Sequence, residues 1–414
     1  MNMSIFTPYT LPSGLTLSNR IAKAAMEENL GTKAQYPSSS IMHLYKAWAQ
    51  GGAGLIITGN VMIDPLSMTG PGGIALHKNQ QHLAKFTEWA DVAKSNGSKV
   101  VMQINHPGRQ VFKNMQCKAI SPSAVGLDLG KHSSMFDVPR AMTEADIVEV
   151  IDRFVSTANL AQSCGFDGVQ IHAAHGYLVS QFLSPLVNKR EDKWGGSVEN
   201  RARLLRYILE NVRKAVGTSF SLSVKLNSAD FQRGGFDVDD ATAVVKMLEA
   251  FNLDFIELSG GSYEAPAMQG TSSDERTLAR EAYFLSFAAK IASTTTVPIM
   301  TTGGIKRLSV AQEVIKQNVS LVGMASALAF MPDLPNIWQT KPDTNGFVPK
   351  VTWQNKPIAA LATMATVRRQ LQRLGKQKTP KLNTWPLFNL ICDRIRINKL
   401  TKRYVAFIKD ANVS

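Results

Sequence analysis

Gly54-Leu-Ile-Ile-Thr-Gly59 is almost wholly apolar between its two glycines, so an extended chain here presents no polar face to water. A strand of that kind belongs in a parallel sheet covered by helices on the outside and filled within. Similar short runs rich in Val, Ile and Leu recur, and the sequence predicts strands at 20–25, 54–59, 99–105, 168–172, 222–226, 255–258, 298–302 and 320–324. Amphipathic stretches separate them. After Thr143, a helix N-cap with Asp146 three residues on, Ile147, Val150, Ile151, Phe154, Val155, Ala158 and Ala161 keep one apolar face. A second helix is expected over 197–216, stopped by Gly217. Eight strands each followed by a helical pattern predict a (β/α)8 TIM barrel. A doubly wound sheet would open on a G-x-G-x-x-G turn after an early strand, and none occurs.

The barrel accounts for residues 1–335. About 60 residues separate the third and fourth strands, and 105–142 is rich in Pro, Gly, Ser, Lys and Met, so a long β3–α3 excursion over one end is expected. Residues 336–350, with Lys341-Pro-Asp-Thr-Asn-Gly346, read as a linker, and 351–414 as a basic, partly amphipathic C-terminal extension. Of the net charge of +14, the stretch 368–409 carries +11, twelve Lys/Arg against Asp393. The basicity therefore resides in the extension, and the body is not expected to bind nucleic acid. Within the extension, Ile358, Leu361, Met364, Val367, Leu371 and Leu374 recur at helical spacing, and Trp385-Pro-Leu-Phe-Asn-Leu-Ile391 is followed by basic residues. An arm packed on the barrel or on another subunit, or a surface for anionic membrane, fits that mixture.

With 44% hydrophobic and 19% charged residues, the 414-residue chain buries a large core and is neither disordered nor fibrous. Three cysteines, Cys117, Cys164 and Cys392, are too few and too scattered for a disulfide scaffold or a metal cluster. The first positive side chain is Arg20 and no apolar leader precedes it, so no signal peptide is expected and the cytoplasm is the default location, peripheral to a membrane if the extension binds one.

In a barrel, chemistry lies where strands end. Those ends are rich in His, Gln, Lys, Tyr and Gly and poor in carboxylates, unlike a paired-acid hydrolase or a zinc enzyme. The strongest run is Gln170-Ile-His172-Ala-Ala-His175-Gly-Tyr177-Leu. Two imidazoles three residues apart reach one side of a turn, where their N–H groups hold a substrate oxygen while a phenol delivers a proton.

With these residues in view, the sequence resembles the Old Yellow Enzyme, or NADH:flavin oxidoreductase, family of FMN-dependent barrels. The likeness starts at Leu11-Pro-Ser-Gly-Leu-Thr-Leu-Ser-Asn-Arg-Ile21 and passes through Ala49-Gln-Gly-Gly-Ala-Gly54 and Gln103-Ile-Asn-His-Pro-Gly-Arg109. It is most specific at His172-Ala-Ala-His-Gly-Tyr-Leu178 and continues through Phe182-Leu-Ser-Pro185, Asn188-Lys-Arg-Glu-Asp192, Gly195-Gly-Ser-Val-Glu-Asn-Arg201, Gly303-Gly304 and Pro332-Asp-Leu-Pro335.

The resemblance implies FMN on the barrel top, reduced by NADH or NADPH and reoxidised by an alkene conjugated to a carbonyl or nitro group. By position it makes His172 and His175 the partners of the activating oxygen and Tyr177 the proton donor. It places Ala25, Met26 and Gly59 beside the flavin ring, Gln103 on its pyrimidine edge, Lys225 near N1–C2=O, and Gly303, Gly304, Ala325 and Ser326 around the phosphate. Arg109 is assigned to substrate or nicotinamide phosphate, with a simple pairing to an acid on the rim as the alternative. Two positions depart from the family: Ser326 replaces an Arg, and Glu27 replaces a Thr or Cys that donates towards the flavin. A catalytically weak flavin-binding barrel acting through its tail is the alternative reading.

Overall fold

The computed structural model describes residues 4–267 and 281–413. Eight strands form one closed parallel barrel: β1 (Ile21–Lys23), β2 (Leu55–Ile57), β3 (Lys99–Asn105), β4 (Gly168–Ala173), β5 (Ser221–Asn227), β6 (Phe255–Ser259), β7 (Ile299–Thr301) and β8 (Leu321–Met324). Each pairs with its neighbours in chain order, and β8 pairs with β1 to close the ring. All eight lie where hydrophobic runs predict them. Around them pack α1 (Ser39–Gln50), α2 (Leu83–Lys94), α3 (Glu144–Ser163), α4 (Arg203–Val216), α5 (Val238–Leu248), α6 (Leu285–Ala292) and α7 (Leu308–Lys316). The capping box before α3 is made as its sequence requires, with Thr143 and Asp146 each bonding the other's backbone N–H.

Side chains alternate across the wall. Val169, Ile171, Leu222, Val224 and Leu226 join the core between sheet and helices. The opposite face of the ring is apolar at the bottom: Ala22, Leu55, Ile57, Val101, Phe255, Met300 and Leu321 form a separate cluster. Leu11 and Leu17, from a short hairpin pairing Tyr9–Thr10 with Thr16–Leu17, complete that cluster. Further along the strands the same face becomes polar, with Gln103, Gln170, His172, Lys225 and Glu257 all nearly or fully buried. This change from apolar to polar marks the end that carries the site.

The boundary read at residue 335 has no counterpart in the packing. The supposed linker begins inside a helix, Leu334–Thr340, whose Trp338 is buried, and Phe347 packs against Phe330. The next helix, α8 (Lys356–Leu374), lies on α1 with Ala362, Ala365, Leu371 and Leu374 buried, so it completes the outer ring. A last long helix, α9 (Pro386–Val413), packs on α8 through a buried Arg368–Asp393 ion pair. Its Tyr404 and Ile408 join Met62, Met68, Met115 and Cys117 in a small core under the β3–α3 excursion. Of the readings of the extension, a packed arm is the one this contact set describes.

Candidate active site

Four strands bring a chain of hydrogen bonds across the barrel mouth. Register sets Gln103 opposite Gln170, His172 opposite Lys225, and Lys225 opposite Glu257. Lys225 Nζ donates to Glu257 Oε1 at 2.7 Å, and Glu257 Oε2 accepts from Gln170 Nε2 at 3.0 Å. Gln170 Oε1 then accepts from Gln103 Nε2 at 2.7 Å. The carboxylate only accepts, so it dictates which way both amides point. Gln103 is left with Oε1, an acceptor held in fixed orientation, and with the second N–H of its amide. The Lys225 ammonium keeps two donors beyond the one that Glu257 takes.

At the end of β4 the chain turns sharply. His175 sits at φ +62°, fixed by its backbone N–H on Asn227 Oδ1 at 3.0 Å and by its carbonyl accepting from Gln110 Nε2. That turn sets the His172 and His175 rings 5.0 Å apart and nearly perpendicular, with the Tyr177 ring 5.0 Å from His172. The sequence-predicted trio is thus assembled at one place. His172 Nδ1 accepts from the backbone N–H of Ala174, which leaves the proton on Nε2. His175 Nε2 lies 2.7 Å from Ser259 Oγ, leaving Nδ1 as its other polar atom. Burial, reinforced by the Lys225 charge, holds both imidazoles well below the usual histidine range, so they are neutral at physiological pH. Burial, then the neighbouring Tyr263 phenol and the Glu27 carboxylate, hold the Tyr177 phenol well above 10 and therefore protonated. Tyr263 Oη is 3.4 Å from Tyr177 Oη.

The two consecutive glutamates after β1 have different fates. Glu28 turns into the wall, accepting from Tyr45 Oη at 2.7 Å and lying 3.6 Å from Lys23 Nζ, itself over the Trp48 ring. Desolvation pulls buried Lys23 down to about 8. Glu27 turns the other way and accepts from Thr69 Oγ1 at 2.7 Å. Among the described residues its partner is this hydroxyl, and its charge reaches both Tyr177 and Tyr263. Gly59 has a local reason to be glycine: a Cβ there would lie 2.0 Å from Glu28 Oε2 and 2.1 Å from the Met26 carbonyl.

Other assigned residues fall as follows. Ala25 and Met26 are half-buried on the loop after β1, and Ala325 and Ser326 are half-buried after β8. Gly303 and Gly304 follow β7 at φ +122° and +70°, close against Tyr283. Arg109 is not a free cation at the mouth. Only 3% exposed, it pairs with Glu264 Oε2 at 2.7 Å and donates to the carbonyls of Val125 and Gly126, pinning the excursion to the loop after β6. His106 accepts from Gly108 N, and burial takes it down to about 4, as a structural histidine would be. The sequence alone gives no role to Glu257, Ser259, Asn227 and Tyr263, and it offers Gln170 only as the start of its strongest run. The signal available was period-two spacing: Gln170 and Glu257 stand two residues before His172 and Ser259 on strands whose ends were already singled out.

Fold and site together define a flavin-dependent oxidoreductase of NAD(P)H built on a TIM barrel. The chain belongs to the NADH:flavin oxidoreductase / NADH oxidase family, whose model matches residues 4–344. It is 36% identical over 349 residues to the NADH-dependent flavin oxidoreductase iliE of Hypocrea jecorina, covering 79% of this chain and 87% of that one. Among solved structures it is similar to the Old Yellow Enzyme homologue of Zymomonas mobilis, with TM-score 0.70, 25% identity, 83% of this chain and 94% of that chain. It is also similar to a 2-naphthoyl-CoA reductase in complex with 2-naphthoyl-CoA, with TM-score 0.75, 25% identity, 82% of this chain and 52% of that chain. The family uses FMN, with NAD(P)H as hydride donor. The residues present fit that cofactor: the oriented Gln103 acceptor complements an imide N–H, and the Lys225 donors complement a carbonyl edge. Among the described residues no helix is long and apolar enough to cross a membrane.

Proposed function

We propose that this protein passes hydride from NAD(P)H to an alkene activated by a conjugated carbonyl or nitro group. When bound, FMN would supply the hydride chemistry between nicotinamide and the β-carbon of the alkene. The side chains that would hold FMN are Gln103 and Lys225 at the pyrimidine edge, the backbone of Ala25, Met26 and Gly59 beside the ring, and Gly303, Gly304, Ala325 and Ser326 at the phosphate. Neutral His172 and His175 donate to the activating oxygen and take up the negative charge that grows there as hydride arrives. Ser259 and Asn227 act as positioning residues for His175. Tyr177 protonates the α-carbon, and Tyr263, within reach of its oxygen, stabilises the phenolate left behind.

The observation that carries this reading is the trio itself: two neutral donors and a protonated phenol within one turn, at the polar end of the barrel. Replacing Tyr177 by Phe tests it. Reduction of the flavin by NADH should keep its rate, while reoxidation by an enone should slow by about 10²–10⁴-fold, the usual contribution of a general acid. Stopped-flow traces in which both half-reactions slow equally would remove Tyr177 from the proton-transfer role.

A further inference from the structure

Outside the active site the chain builds a second concave region that the family chemistry does not use. A cleft of about 570 Å³ lies between the loop after β1, α8 and α9. Five cations line it: Lys33 from the loop, Arg369 from α8, Lys376 two residues beyond its end, and Arg396 and Arg403 from α9. No carboxylate is among its described lining residues, and of the five cations Lys33 is paired with Asp410 at 3.6 Å just outside. Two of the cations are fixed in place, with Arg396 Nη2 donating to the Asn29 carbonyl at 2.5 Å and Arg403 Nη2 to the Gly31 carbonyl at 2.8 Å. Arg396 Nη1 is buried and has no hydrogen-bond partner.

Like charges gathered in a concavity repel one another, and a buried guanidinium N–H without an acceptor adds to the cost. The neighbourhood shows that strain: burial together with the charges of Arg368 and Arg403 draws Arg396 below the usual arginine range, opposed by Asp393. A polyanion in the cleft relieves the repulsion. Guanidinium forks and ammonium groups suit phosphate oxygens, and five cations call for more charge than one carboxylate brings. The volume is that of a small-molecule pocket, concave where a bilayer surface would be flat. We propose that this cleft is a binding site for a soluble molecule bearing two or more phosphate groups, held by Arg369, Lys376, Arg396 and Arg403.

The test uses the full-length, FMN-loaded protein and inorganic tripolyphosphate, with titration calorimetry at low salt. Saturable one-to-one binding is expected, weakened about tenfold or more in Arg369→Gln and again in Lys376→Gln, as loss of a charge-assisted bond to phosphate requires. Neither side chain supports the flavin, so flavin content and the rate of flavin reduction by NADH should stay as in the parent. Arg396→Gln is less informative alone because Arg396 also anchors α9. Sulfate at matched ionic strength should bind far more weakly. Equal affinity for sulfate, unchanged affinity in both variants, or no saturable heat would overturn the proposal. So would binding to anionic phospholipid vesicles without binding to free tripolyphosphate, which would make the cations a membrane surface.

Discussion

Glu27 stands where the family resemblance leads one to expect a Thr or Cys, and its surroundings give that difference a consequence. Glu28 is anchored to Tyr45 and Lys23 in the barrel wall, which forces its neighbour to face the mouth. There Glu27 accepts from Thr69 and, among the described residues, meets no cation. A carboxylate in this place cannot donate a hydrogen bond, and its charge opposes the anion that forms when flavin is reduced. Glu27→Thr should therefore raise the flavin midpoint potential by about 30 mV or more, ~1.4 kcal/mol for two electrons. Spectroelectrochemical titration of parent and variant measures it directly. Identical potentials would mean that Glu27 does not act on the flavin. Its position next to Ala25 and Met26 was legible in the sequence; its orientation was not, because two adjacent glutamates on a loop give no hint of which one turns inward.

Strands, more than loops, set the polarity of the site. Glu257 on β6 orients Gln170 on β4, which orients Gln103 on β3, so one buried charge sets the amide orientation three strands away, at the edge proposed to meet the flavin. Gln170→Leu interrupts that relay while leaving the Lys225–Glu257 pair intact. It should weaken FMN binding by about tenfold, ~1.4 kcal/mol, readable from flavin fluorescence on titration of the apoprotein. Unchanged affinity would show that Gln103 needs no such orientation. The strands themselves were predictable because both faces are buried and the sequence is apolar through most of their length. The relay was not, because Glu257 interrupts Phe255–Ser259 with a charge, and a charge in a strand reads as surface until its partner on the next strand is known. Arg109 shows the converse: a cation at a strand end reads as a ligand until Glu264 is found beside it.

For the molecule as a whole, the C-terminal extension is part of the fold. Its helical period was readable, but its burial depends on α1 and on the excursion, distant segments that no local pattern connects to it. Cys117, under Tyr404 Oη at 3.4 Å, reports on the arrangement. Deleting residues 378–414 should uncover that thiol to a disulfide reagent within the mixing time and lower the thermal midpoint. Tyr404→Ala alone should cost about 3 kcal/mol, as for other large side chains removed from a core. A thiol equally reactive in full-length and shortened protein would contradict the packed arm. The body, meanwhile, is a barrel whose apolar floor supports one polar mouth, and the proposed reaction passes hydride in and out there in two separate steps. The most direct measurement is the visible spectrum of the purified full-length protein without oxygen. The account predicts oxidised flavin bands that bleach on adding NADH or NADPH and return, in stoichiometric amount, on adding 2-cyclohexenone or a nitroalkene. Bands that bleach but stay bleached with every activated alkene, or protein that carries no flavin, would contradict it.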